Sequence, residues 1–95
     1  MTKITFSQKA IDALISQAKY IYELTLSLEK ADNYFDEMEE YINHTLKVHP
    51  KLGRPAPELG FGVRKLIYKR YSILYRITSI EIEILTIYKQ NLPNL

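Results

Sequence analysis

Apolar and polar positions follow two different rhythms along this chain, and the change of rhythm divides it. Lys3-Ile4-Thr5-Phe6 alternates with period two and is rich in strand formers, which predicts a short first strand. Ser7 then stands as an N-cap ahead of Ala10, Ile11, Leu14, Ala18, Ile21 and Leu24, which recur at helical spacing and predict a helix ending near Thr25. Ser27 is a second N-cap, with Glu29 in the first turn where the helix dipole favours a carboxylate. Ala31, Tyr34, Phe35, Met38, Tyr41, Ile42, Thr45 and Leu46 form the apolar stripe of that second helix. Pro50 ends it, because the residue before a proline is pushed out of the helical region.

Beyond Pro50 the rhythm changes. The three glycines, Gly53, Gly60 and Gly62, and the prolines Pro50, Pro55 and Pro57 all fall between positions 50 and 62, which predicts an ordered loop with fixed turns. Three strands are expected at 62–68, 71–78 and 80–88, joined by loops so short that they must be antiparallel hairpins. In the last strand Ile80, Ile82 and Ile84 should face a core, with Glu81 and Glu83 opposite. Pro93 should end any pairing in the tail. The order is β-α-α-β-β-β, an α+β fold in which a helix pair packs on one face of a small antiparallel sheet. The other face, with the loop 50–62, is expected to carry most of the basic residues.

Length and composition agree with one ordinary globular domain spanning 1–95, at 46% hydrophobic and 25% charged residues. With no cysteine, a disulfide framework and a thiolate metal site are excluded, and a reducing cytoplasm suits the chain. The start Met1-Thr2-Lys3-Ile4-Thr5-Phe6 lacks the apolar region of a signal peptide, and no apolar run is long enough for a membrane span, so no membrane partner is expected. The net charge of +2 conceals an asymmetry: residues 1–46 carry four lysines against eight acidic residues, whereas 47–95 carry nine basic residues against three acidic ones. The basic half should attract an anionic partner, either nucleic acid or an acidic protein segment.

Candidate chemistry is sparse. Asp36, Glu37, Glu39 and Glu40 lie off the apolar stripe and read as a solvated face. His44 and His49 are the only histidines and have no third ligand type beside them, so no metal site and no cofactor are expected. Gly60-Phe61-Gly62 precedes a strand instead of a helix, so it reads as a turn into the sheet and not a phosphate loop. What remains is a basic and aromatic set: Arg54, Arg64, Lys65, Arg70, Tyr71, Arg76, Tyr88 and Lys89 are candidates for binding a target or partner, since arginine forks onto phosphate or carboxylate and tyrosine stacks. Taken singly, each has a structural alternative: Tyr71 or Tyr75 in the core, Arg64 or Arg76 paired with Glu58, Glu81 or Glu83.

The run Leu46-x-x-His49-Pro50-Lys51-Leu52-Gly53-Arg54-Pro55, then Glu58-Leu59-Gly60, Val63-Arg64-Lys65-Leu66, Arg70-Tyr71-Ser72-Ile73-Leu74-Tyr75-Arg76-Ile77 and Ile82-Glu83-Ile84-Leu85-Thr86-Ile87 resembles the RelE/ParE toxin superfamily, and within it the ParE branch. The resemblance covers nearly the whole chain and implies the toxin of a type II toxin–antitoxin system. It would arrest bacterial growth and form a hetero-oligomer with a cognate antitoxin, acidic, DNA-binding and ParD-like. ParE-like members poison DNA gyrase, and RelE-like members cut mRNA on the ribosome. The shared fold does not choose between these targets.

Cleavage by a 2′-hydroxyl would need a base, an acid and cations around the phosphorane. If this chain were a ribonuclease, the catalytic candidates would be Arg64, Arg70, Arg76, Tyr88 and Lys89. Ile67 stands near the position where RelE-like enzymes place an arginine, and there is no C-terminal histidine. The acid–base set is therefore incomplete, which tilts the expectation away from an enzyme. Lys89-Gln90-Asn91-Leu92 also departs from the usual ParE ending of histidine, glycine and a basic residue. A gyrase inhibitor, a ribosome-dependent endoribonuclease and a weakly toxic antitoxin-binding module therefore stand as the three alternatives.

Overall fold

The computed structural model describes residues 3–89. The expectations placed on 90–95, including Pro93 as a terminator, lie outside that range. The elements are β1 (Lys3–Phe6), α1 (Gln8–Thr25), α2 (Leu28–Val48), β2 (Arg54–Pro55), a single 3-10 turn (Pro57–Leu59), β3 (Val63–Tyr68), β4 (Tyr71–Ile77) and β5 (Glu81–Lys89).

Both serine caps form. The Ser7 hydroxyl accepts from the Ala10 N–H at 3.0 Å and donates to the Leu85 carbonyl at 2.7 Å, so one side chain starts α1 and fastens it to β5. Ser27 accepts from the Lys30 N–H at 3.2 Å. Caps of this kind contribute about 1 kcal/mol each. Between the helices Leu26 adopts the left-handed conformation, φ 53°. The far end of the helical hairpin is not covered by the sheet, and Leu24, Leu26 and Leu28 are exposed there.

The sheet has the order β1-β5-β4-β3-β2. It is mixed, where a purely antiparallel sheet was expected: β1 lies parallel to β5, with Ile4 beside Ile82 and Phe6 beside Ile84. The physical reason is the shared apolar face. Ile4 and Phe6 gain cover only by continuing the row of Ile82 and Ile84 beneath the helices, and the helical hairpin supplies the long crossover a parallel pair needs. The remaining pairs are antiparallel, and the two-residue Arg54–Pro55 strand extends the sheet beside β3.

A β-bulge between Leu74 and Tyr75 leaves Leu85 as an extra residue in β5: Leu74 pairs with Thr86, whereas Tyr75 pairs with Ile84. As a result Ile82, Ile84 and Ile87 all reach the same core although their spacing breaks strict alternation. Ile80, expected in that row, lies in the β4–β5 turn and is 77% exposed. Its turn is held by the Thr78 hydroxyl, which accepts from the Glu81 N–H at 3.1 Å.

The core joins Ala10 and Leu14 of α1, Met38, Ile42 and Leu46 of α2, and Leu66, Ile73, Tyr75, Ile82, Ile84 and Ile87 of the sheet. Each fully buried leucine or isoleucine contributes about 1.5–3 kcal/mol. Gln17 ties α1 to α2 and β5 through polar atoms: its amide donates to the Ile87 carbonyl at 3.0 Å and accepts from the Tyr34 hydroxyl. Burial, then the neighbouring Tyr71, pushes the Tyr34 hydroxyl well above the ordinary tyrosine range. The Tyr34 and Tyr71 rings lie 5.3 Å apart, centroid to centroid.

Candidate functional site

Strand parity decides which of the basic and aromatic residues share a surface. On β3, Arg64, Leu66 and Tyr68 lie on the helix-covered side, with Tyr71, Ile73 and Tyr75 opposite them on β4. Lys65 and Ile67 lie on the open side, with Ser72, Leu74 and Arg76 of β4 and Glu83, Thr86 and Tyr88 of β5. The open face therefore assembles Lys65, Arg76 and Tyr88 from the predicted set, with Arg54 opposite Lys65 at the edge.

The other candidates are not brought there. Arg70 is exposed in the β3–β4 turn. Tyr71 is half-buried against the core. Lys89 lies beside Tyr71, on the side opposite Tyr88. The expectation that the open face and the loop hold most of the basic residues is thus corrected. Lys51 and Arg54 lie in the loop region and Lys65 and Arg76 on the open face, while pairing parity and the turns send the rest elsewhere.

The open face is also not a free cationic surface. Arg76 donates from Nε to the Phe61 carbonyl at 3.1 Å and lies 3.8 Å from the Glu83 carboxylate. Arg54 pairs with Glu58 at 3.1 Å; the Glu58 backbone amide, then the Arg54 hydrogen bond, holds that carboxyl below its usual range. Lys65 places its ammonium 5.9 Å from the centroid of the Tyr88 ring, a cation–π contact. Ser72, opposite Ile67 and Tyr88 in the register, is fully buried, with a hydroxyl that finds no partner among the described residues.

Arg64 has a structural task. Its Nη1 donates to the Gly53 carbonyl at 2.6 Å and the Lys51 carbonyl at 3.3 Å. From the core side, the Tyr75 hydroxyl donates to the Pro50 carbonyl at 2.8 Å and accepts from the Gly53 N–H at 2.9 Å. A β-carbon at position 53 would lie 2.7 Å from the Tyr75 ring, so only glycine fits. The loop after α2 is therefore pinned from beneath by two side chains that sequence alone offered as a possible catalyst and a possible core residue. Burial pushes the Tyr75 hydroxyl up.

The second polar cluster was not foreseen. Glu37 of α2 accepts from Tyr68 at 2.7 Å and from Lys69, joining the acidic helix to the β3–β4 hairpin. The hydrogen bond from Lys69, then that from Tyr68, lowers the Glu37 carboxyl, and the same carboxylate raises both Lys69 and Tyr68. The Tyr68 ring stacks on Tyr41 at 3.6 Å. Asp36, Glu39 and Glu40 are exposed, as the stripe implied. The Tyr34, Tyr68 and Tyr75 hydroxyls are all pushed up, so each stays protonated at neutral pH. Among the described residues no group of three or more His, Asp or Glu side chains is placed to hold a metal ion.

Residues 4–91 match the family described as the ParE toxin of the type II toxin–antitoxin system parDE. The chain belongs to the ParE toxin family. A solved structure of the chromosomal ParDE toxin–antitoxin system from P. aeruginosa superposes on it with a TM-score of 0.79 at 25% identity, covering 96% of this chain and 98% of the other. No curated protein matches it. The ParE assignment agrees with the element order and with the motif run from His49 to Ile87. Among its described residues, no helix of this ParE toxin is long and apolar enough to cross a membrane.

Two surface features of this ParE chain escaped the sequence. Phe61, read as part of a turn, is 94% exposed. Val48, and Leu52 of the motif run, both face outward. Nothing local distinguishes such residues from buried ones, because exposure is set by where the loop is fastened.

Proposed function

We propose that this ParE-family toxin arrests growth by binding a protein target in the cytoplasm, DNA gyrase, without chemistry of its own, and that a cognate antitoxin neutralises it in a hetero-oligomer. The observation that carries this reading is the dispersal of the groups cleavage would need. Arg64 is committed to two loop carbonyls, and Arg76 to Phe61 and Glu83. Tyr88 and Lys89 are consecutive strand residues on opposite sides of the sheet. Among the described residues, these acid, base and cation candidates therefore do not converge on one point. The family, and a structural neighbour described as a toxin–antitoxin system, support the toxin and antitoxin parts of the reading.

The purified chain added to a gyrase supercoiling reaction should inhibit it at a dose comparable to that which halts growth. Undiminished supercoiling at that dose would overturn the gyrase reading. A second reading, ribosome-dependent mRNA cleavage, is favoured by one observation, the Lys65 ammonium held against Tyr88 on the open face. It predicts new mRNA ends by primer extension after induction, and intact transcripts dispose of it.

A further inference from the structure

The loop after α2 has an inner and an outer side. Inward, its backbone is engaged: Pro50, Lys51 and Gly53 give their carbonyls to Tyr75 and Arg64, and the Leu52 N–H donates to the His49 carbonyl at 3.1 Å. Outward, it displays side chains that the fold does not use. Val48 is 56% exposed and Leu52 54%, and with His49, Pro50 and Lys51 they line a hollow of about 420 Å³.

No carboxylate lines this hollow. The surrounding stretch 41–57 contains Lys47, Lys51, Arg54, His44 and His49 and not one acidic residue. Of its lysines and arginine, only Arg54 has a carboxylate partner among the described residues. The result is an apolar floor edged by the Lys51 ammonium, which has no carboxylate partner among the described residues, on a backbone that is already fixed. A rigid loop spares a partner the cost of ordering it.

We propose that this hollow docks an acidic amphipathic segment of a partner protein, which seats an aliphatic side chain between Val48 and Leu52 and sets a carboxylate against Lys51. The proposal rests on the toxin–antitoxin reading above and names the surface by which the antitoxin holds the loop. Charge complementarity selects an acidic segment over a basic one. The apolar floor selects a protein over a nucleic acid, because phosphates would use the lysines and leave Val48 and Leu52 without a role.

The test uses the full chain and a short fluorescein-labelled peptide with leucine and glutamate at amphipathic helical spacing, read by anisotropy. The peptide should bind saturably, more weakly at high salt, and Leu52→Ser or Lys51→Ala should each weaken it about tenfold, as loss of one anchoring contact does. Leu52→Ser should melt with the wild type, since the side chain is outside the core. The same peptide with lysine for glutamate should not bind. Absence of binding, equal binding of the lysine peptide, or indifference to Leu52→Ser overturns the proposal. So does a single-stranded RNA oligonucleotide that binds there regardless of Leu52, or a doubling of the chain's own mass that Leu52→Ser abolishes. Growth arrest is scored separately: loss of arrest with peptide binding intact removes the toxin reading and leaves the hollow, and the reverse result leaves the toxin and removes the hollow.

Discussion

The Tyr75 hydroxyl closes a buried bracket on Gly53, accepting its N–H at 2.9 Å while donating to the Pro50 carbonyl at 2.8 Å. Tyr75→Phe keeps the ring and removes both bonds. It leaves a buried N–H without a partner, at a cost of about 1–3 kcal/mol. Gly53→Ala should cost more, since its new methyl meets the Tyr75 ring at 2.7 Å. Thermal denaturation should rank the wild type above Tyr75→Phe and that above Gly53→Ala. A Tyr75→Phe melting curve that overlays the wild type would show that the bracket contributes nothing.

The Glu37 cluster sets an acid dependence. Its carboxyl lies below the 4.5 of an unperturbed glutamate, so the bond to Lys69 and Tyr68 stabilises the fold above that value and is lost as pH falls through the lowered one. Lys69, raised above 10.5, gives the alkaline counterpart: its contribution is present below 10.5 and is lost as pH rises through the higher folded value. Glu37→Gln should therefore lower the melting temperature at neutral pH by a small amount, because the pair is exposed and screened. The gap should close in acid below the carboxylate range. A gap that stays constant from neutral pH into acid would assign the effect to something other than this charge.

Ser72 offers a stabilising change. Its hydroxyl is fully buried between Ile67 and Tyr88 and finds no partner among the described residues, and an unsatisfied buried donor costs about 1–3 kcal/mol. Ser72→Ala removes that cost with little change in volume. The melting temperature should rise, and a fall would mean that the hydroxyl has a partner in solution.

The parts of the fold that were legible in the sequence are the local ones. Ser7 and Ser27 act through the next turn of their own helices, so their role is visible in a few residues. The hairpin joined at Lys69-Arg70 is legible for the same reason, and so is the existence of the next one, although its turn takes in Thr78 and Ile80 as well as the expected Ser79. The parallel pairing of β1 with β5 was not, since Ile4 and Ile82 meet across most of the chain and no local pattern records a partner. The candidate site was legible only as a list. Residue types pointed to Arg64, Arg76 and Tyr88, but whether an arginine is free or spent on a carbonyl depends on a loop elsewhere, as Arg64 shows.

Leu26 carries a backbone strain that its side chain does not repay. A leucine in the left-handed region costs on the order of 1 kcal/mol, and this one is 78% exposed. Leu26→Asn suits that conformation at a helix C-cap. It should raise stability by about 0.5–1 kcal/mol, measured by denaturant midpoint. An unchanged or lower midpoint would show that the leucine packs in solution.

The extra residue at Leu85 acts as a sorting device for everything downstream. Because it shifts the strand by one place, Tyr88 emerges beside Lys65 and Lys89 beside Tyr71. Were Leu85 paired with Leu74 as an ordinary ladder residue, the two sides would exchange at once: Ile87 would turn to water and Tyr88 would go under the helices. The bulge at this one place governs which surface Tyr88 and Lys89 are offered to.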